Sequence, residues 1–126
     1  GLLYRYYHHN SLNGTSEIAG TGSLQKIGFV SNFTVSPRVQ NDKYAFIYEG
    51  FINIPTTGNY RFSTETNEGS RMWVNNQLVV NNDGIHVCTK ITSTTINLTA
   101  GWYPVRVEYF ENGGAECFTV RWIVPG

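Results

Sequence analysis

The chain has 126 residues, 40 % of them hydrophobic and 14 % aromatic, and nine Lys and Arg balance nine Asp and Glu to a net charge of zero. Charged residues make up 14 %, against about 25 % in an average domain, which excludes the clustered Lys and Arg of a nucleic-acid footprint. No apolar run approaches the ~20 residues of a membrane span, and a chain of this length buries roughly 65–70 % of its unfolded surface, enough for one domain with one core.

Polar content comes from Asn, Thr, Ser and Gly more than from Lys and Glu. With eight Tyr and seven Phe, this is the composition of an extracellular all-β module. The chain opens at Gly1 with neither Met nor a signal-peptide pattern, so residues 1–126 are expected to be a single domain excised from a longer secreted protein. Cys88 and Cys117 permit one disulfide, worth about 3.5 kcal/mol on the chain-entropy model. Two separate buried thiols are the alternative.

Leu2 to His9 alternates aromatic and polar residues and reads as a first strand. Asn10 to Gly22 is a polar, Gly-rich loop without periodicity. Leu24 to Val30 is a short strand, and the stretch from Asn32 to Asp42, with Pro37, is a connection. In the long strand from Lys43 to Ile54, the period of two puts Phe46, Tyr48, Gly50, Ile52 and Ile54 on one face. Pro55 to Gly58 is a turn, because proline pre-sets its first corner and glycine permits its last. Asn59 to Thr66 follows with Tyr60 and Phe62 inward.

Alternation then breaks at Asn67-Glu68-Gly69 and resumes at Arg71 to Val74. Asn75-Asn76 suits a two-residue hairpin turn, since Asn tolerates the left-handed conformation at both corners. Gln77 to Val80 returns, Asn81 to Lys90 is irregular and contains Asp83-Gly84, and Ile91 to Leu98 is a Thr-rich strand. Trp102 to Glu111 places Tyr103, Val105, Val107 and Tyr109 on one face. The turn Asn112 to Ala115 leads into a last strand, Glu116 to Val124. No window shows a helical period and no internal repeat appears. Regular strands and turns without helices predict an antiparallel β-sandwich with its loops gathered at two ends, where binding concentrates.

The hairpin tip at Asn67-Glu68-Gly69 presents an amide, an acid and a glycine. It is either a ligand contact or a solvated turn with Glu68 paired to Arg71. Asp83 and His86 share one segment, where an Asp-Gly turn is the plain alternative. In Asn112-Gly113-Gly114 the glycines let backbone carbonyls approach a ligand, or simply form a hairpin turn. No His-x-x-x-His or Cys-x-x-Cys spacing suggests zinc. No nucleophile elbow or Cys-His pairing suggests catalysis, so no enzyme activity is expected.

The run Gly50-Phe51-Ile52-Asn53-Ile54-Pro55-Thr56-Thr57-Gly58-Asn59-Tyr60-Arg61-Phe62 resembles the protective-antigen (PA-fourteen) domain family. The likeness continues through Glu68 to Asn75, Leu98 to Tyr109 and Asn112 to Ala115, and Gly1 to Tyr7 is similar to the family's opening strand. The resemblance implies a jelly-roll-like β-sandwich of secreted glycosidases, adhesins and toxins. In several members, notably yeast flocculins, it implies a calcium-dependent lectin. There two consecutive Asp joined by a cis peptide bind one Ca²⁺, which takes two sugar hydroxyls, while a second loop adds an Asn and backbone carbonyls.

Carried across, the two Asp fall on Asn67 and Glu68, so the tip departs from the pattern at both positions and loses one formal charge. Calcium takes six to eight oxygen ligands. Asn67, Glu68 and Asn112 are the expected metal ligands, and Asp83, His86 and Gly113 complete the expected ligand-binding rim. The expected function is non-catalytic carbohydrate binding or adhesion, with Ca²⁺ as a possible cofactor and a glycan or cell-surface polysaccharide as partner. The expected location is extracellular or at the cell surface. A structural or protein-docking module, contacting neighbouring domains or assembling into a filament, is the alternative.

Overall fold

In the computed structural model, which describes residues 1–126, ten strands form two antiparallel sheets. They are β1 (Leu2–His8), β2 (Ser23–Val30), β3 (Tyr44–Ile54), β4 (Gly58–Asn67), β5 (Ser70–Val74), β6 (Gln77–Asn82), β7 (Thr89–Thr92), β8 (Ile96–Leu98), β9 (Gly101–Glu111) and β10 (Cys117–Ile123). One sheet runs β2-β1-β3-β9-β5-β6; the other runs β10-β4-β7, with β8 also paired to β4. The antiparallel β-sandwich predicted from the residue pattern is the observed fold. No helix is long and apolar enough to cross a membrane.

The core follows from parity. Phe46, Tyr48 and Ile54 of β3 and Val105, Val107 and Tyr109 of β9 point between the sheets, where they meet Tyr4, Tyr6, Tyr60, Phe62 and Met72. Aromatic rings carry much of this packing: Phe46 stacks on Tyr48 with centroids 5.3 Å apart, and Tyr109 meets Phe118 at 4.7 Å. Such pairs contribute about 0.5–1.5 kcal/mol beyond burial. The Asn75-Asn76 turn has φ of 53° and 62°, the left-handed pair expected of a tight hairpin.

Three stretches differ from their sequence reading. Residues 10–22 are not a plain loop: Thr15–Glu17 is a 3-10 turn and Ile18–Thr21 a single α-helical turn. Leu12 and Ile18 pack there with Tyr7, Ala45, Ile47 and Phe110 in a second cluster. One helical turn is too short to show a period, so only the isolated apolar residues mark it. Strand β6 continues through Asn82, and the Thr-rich strand splits in two at Ser93, whose hydroxyl accepts the Phe62 N–H at 2.9 Å. Cys88 and Cys117 are paired, with Cα atoms 5.8 Å apart, which resolves the two alternatives in favour of the disulfide.

Candidate functional site at the tip of the β4–β5 hairpin

Four connections meet at one end of the sandwich: the β4–β5 tip, the β9–β10 turn, the β6–β7 loop and the start of the β1–β2 connection. The tip is fastened to β9 by three hydrogen bonds. The Tyr109 hydroxyl donates to the Asn67 carbonyl at 2.7 Å, Glu68 N–H donates to the Phe110 carbonyl at 3.0 Å, and Phe110 N–H donates to the Gly69 carbonyl at 3.0 Å. The Asn67–Glu68 peptide is cis. Gly69 allows the close approach, since a Cβ there would lie 2.5 Å from the Phe110 ring and 2.7 Å from the Asp83 carboxylate.

Glu68 is buried, and its carboxylate accepts the Asn112 N–H. It is therefore not a solvated acid paired with Arg71, whose guanidinium bonds Glu108 and Thr15 instead. Asn67 Nδ2 donates to the Ala115 carbonyl at 3.0 Å, which ties the tip to the second loop and leaves the amide oxygen without a protein partner. Gly113 has open space around its Cα, and Gly114 adopts a φ of +90° that favours glycine. The structure thus brings Asn67, Glu68, Asn112 and Gly113 together.

The side chains of Asn112 and Asp83 face other tasks. Asn112 Oδ1 accepts the Leu12 N–H and Nδ2 donates to the Leu12 carbonyl, both at 2.9 Å, so the amide pairs with backbone as a strand would. Asp83 accepts the Thr15 N–H at 3.0 Å, the Thr15 hydroxyl at 3.0 Å and the Gly84 N–H at 2.9 Å. Both residues anchor the 12–17 segment. His86 is pinned inside its own loop, with Nε2 2.8 Å from the Asn82 carbonyl and Nδ1 2.7 Å from that of Val87. The disulfide joins this loop to the start of β10 beside Asn67, since Cys117 pairs with Asn67 in the β10–β4 register.

Residue Glu111 was not expected. It ends β9 on the inward parity of Val105, Val107 and Tyr109, is 0 % exposed, and its carboxylate oxygens have no cation and no backbone donor. Burial, then the charge of Asp42 and a hydrogen bond shared with its carboxyl, then the charges of Glu68 and Glu116, push the Glu111 carboxyl up to about 8. A buried carboxylate with acidic neighbours and no cation is costly to fold around. The Tyr44 hydroxyl beside it in the β3–β9 register is buried without a partner as well. Nearby, the Ser11 N–H donates to His9 Nδ1, so Nε2 carries the proton and donates to the Tyr44 carbonyl at 3.0 Å. Burial lowers the His9 pKa, which agrees with this neutral ring.

The sequence matches the PA14 domain over residues 1–126. The chain belongs to the PA14 domain family. Solved structures with the same fold include the PA14 domain of the antifreeze protein MpAFP, at 17 % identity and a TM-score of 0.76, where the match covers 100 % of this chain and 82 % of that one. A PA14 sugar-binding domain from an RTX adhesin matches at 19 % identity and 0.74, over 98 % of this chain and 89 % of that one. An anti-sigma factor domain-containing protein from Clostridium clariflavum matches at 23 % and 0.78, over 99 % of this chain. The chain spans 42 % of that protein's length. No curated protein matches.

Within this PA14 domain the tip oxygens suit a hard cation better than a transition metal. No group of three or more His, Cys, Asp or Glu side chains is arranged to hold a metal alone. The available donors are the Glu111 carboxylate, the remaining Glu68 oxygen, the Asn67 amide oxygen and the carbonyls of the 112–116 turn. That is an all-oxygen, carbonyl-rich set of the kind calcium accepts. The Glu111 oxygens, buried without a cation, are the observation that makes the fit.

Proposed function

We propose that this PA14 domain is a non-catalytic carbohydrate-binding module of an extracellular or cell-surface protein, with its glycan site at the Asn67–Glu68 tip. The observation that carries the reading is Glu111: a buried carboxyl with no cation and no backbone donor, beside a tip that is itself fastened to β9. Structural acids are paired, so an unpaired one in a loop cluster is a candidate for ligand chemistry.

Glu111, Glu68 and the Asn67 amide oxygen are the residues that would hold Ca²⁺. The bound ion would supply a charged centre for sugar hydroxyls. The protein's own part is to hold the tip against β9 and the second loop, through the Tyr109, Phe110 and Asn112 bonds. Asn112 contributes through its N–H, while its side chain secures Leu12. The PA14 neighbour described as sugar-binding supports the ligand class.

Glycan-array binding with calcium and with chelator tests this directly. A calcium-dependent component of the binding, lost in chelator and in Glu111→Gln, is the expected result. Absence of binding to every sugar in calcium refutes the reading, and binding that Glu111→Gln abolishes but chelator leaves intact removes the ion from it.

A further inference from the structure

A different face of the molecule carries its own ligand chemistry. On the outer surface of the six-stranded sheet, a groove of about 680 Å³ crosses β1, β3, β9 and β5. Its lining combines the charged Arg5, Glu49 and Arg106 and the Asn76 amide with apolar Leu3 and Pro104. Two rings, Phe51 and Trp73, also line it. Phe51 is 65 % exposed and pairs with no other aromatic ring, so much of its surface is open to a ligand.

The charged lining is preordered. Arg5 Nη1 bonds Glu49 at 2.6 Å, and Arg106 Nη1 reaches the other Glu49 oxygen at 3.2 Å. Arg106 also donates through Nε and Nη2 to Glu108 at 3.0 and 2.7 Å, and Arg71 bonds Glu108 at 2.9 Å and approaches Asp83 at 3.7 Å. The guanidiniums of Arg71 and Arg106 lie 4.8 and 5.9 Å from the Trp73 ring centre. Acid and base alternate along the whole row, so the ribbon is neutral. Fixed polar groups bind with little further ordering cost.

We infer that this groove is a second, metal-independent site for a neutral glycan chain. Three features select that ligand. Planar donor and acceptor groups in a fixed array match rows of hydroxyls, and the exposed ring of Phe51 matches the apolar C–H face of a pyranose. The balanced charge gives no preference for an anionic polymer. A protein partner fits less well, because it would have to desolvate Glu49 and Glu108 together with the guanidiniums that hold them. The site is independent of the tip, so either can fail without the other.

Affinity electrophoresis through gels containing xylan, mixed-linkage β-glucan or mannan, with chelator throughout, is the test. The expected result is retardation in at least one gel, retained by Glu68→Gln and weakened at least tenfold by Phe51→Ala and by Arg5→Gln. Phe51 is mostly solvated and Arg5 is half-exposed, so both variants should fold, and near-ultraviolet circular dichroism checks this. Absence of retardation in every gel overturns the inference. So does retardation that folded Phe51→Ala leaves unchanged. Light scattering provides the last arm: self-association abolished by Phe51→Ala would give the face to a second copy and overturn the glycan assignment.

Discussion

Glu108 and Glu111 sit three residues apart on β9, both buried, and point to opposite sides of the same sheet. Glu108 faces outward and is held by Arg71 and Arg106 through three guanidinium hydrogen bonds of 2.7–3.0 Å. Glu111 faces inward at the tip, with no cation beside it and the Asp42 carboxyl as an acidic neighbour. The first arrangement is how a sheet tolerates a buried acid: the charge is matched where it lies, and the stems of both arginines cover the surface around it. The second is an acid that folding alone does not explain. The outer face is built for stability and ordered polar display, whereas the tip carries an electrostatic cost that a ligand could relieve.

The sharpest way to break this contrast is to remove the cross-link that belongs to one region only. The Cys88–Cys117 bridge spans 29 residues, so Cys88→Ala/Cys117→Ala should lose about 3.5 kcal/mol on the chain-entropy model. Denaturant unfolding measures it. The β6–β7 loop should lose hydrogen-exchange protection first, with the outer face of β1, β3 and β9 unaffected. Equal loss on both faces would erase the distinction.

Glu108→Gln comes next, with an expected loss of about 2 kcal/mol, since charge-assisted hydrogen bonds are weakened and two guanidiniums lose their common partner. The half-exposed Arg106 can turn to water or Glu49, which keeps the loss below that of a fully buried pair. Glu111→Gln should do the reverse. The wild-type carboxyl is raised from 4.5 to about 8, so the folded state binds a proton more tightly than the unfolded state. Its contribution to stability is full below pH about 4.5 and is lost as pH rises through about 8. In chelator at pH 9, Glu111→Gln should therefore be more stable than wild type by about 1–2 kcal/mol, because the amide stays neutral where the carboxyl has to ionise among buried acidic neighbours. At pH 4.5 the two should coincide. Thermal melts across pH check both the sign and the window. A variant that is less stable at pH 9 would show that Glu111 has a partner after all.

Most of the scaffold was legible because it obeys short-range rules. Alternation placed Phe46, Tyr48, Val105 and Val107 in the core, and the paired Asn75-Asn76 declared their turn. The site was less legible because its polar partners are far apart in the chain. Asp83 is used by Thr15, 68 residues away, and Asn112 by Leu12, 100 residues away, and no periodicity reports such pairs. Glu111 could have been found. The parity that put Val105, Val107 and Tyr109 inward puts Glu111 inward too, and an acid on a core register is a signal in itself.

The smallest expected effect separates two roles for Asn112. The family resemblance makes its side chain a metal ligand, and the structure makes it the anchor of Leu12. Asn112→Asp keeps an oxygen for the Leu12 N–H but has no donor for the Leu12 carbonyl. An anchor should therefore lose about 1 kcal/mol of stability, one hydrogen bond's net worth, with calcium affinity unchanged or slightly reduced. A ligand should respond in the opposite sense, because an added carboxylate tightens calcium binding. Isothermal titration with calcium beside a denaturant melt reads both quantities on one preparation. Tighter calcium with unchanged stability would return Asn112 to the metal site, and Glu111 would then share the role assigned to it.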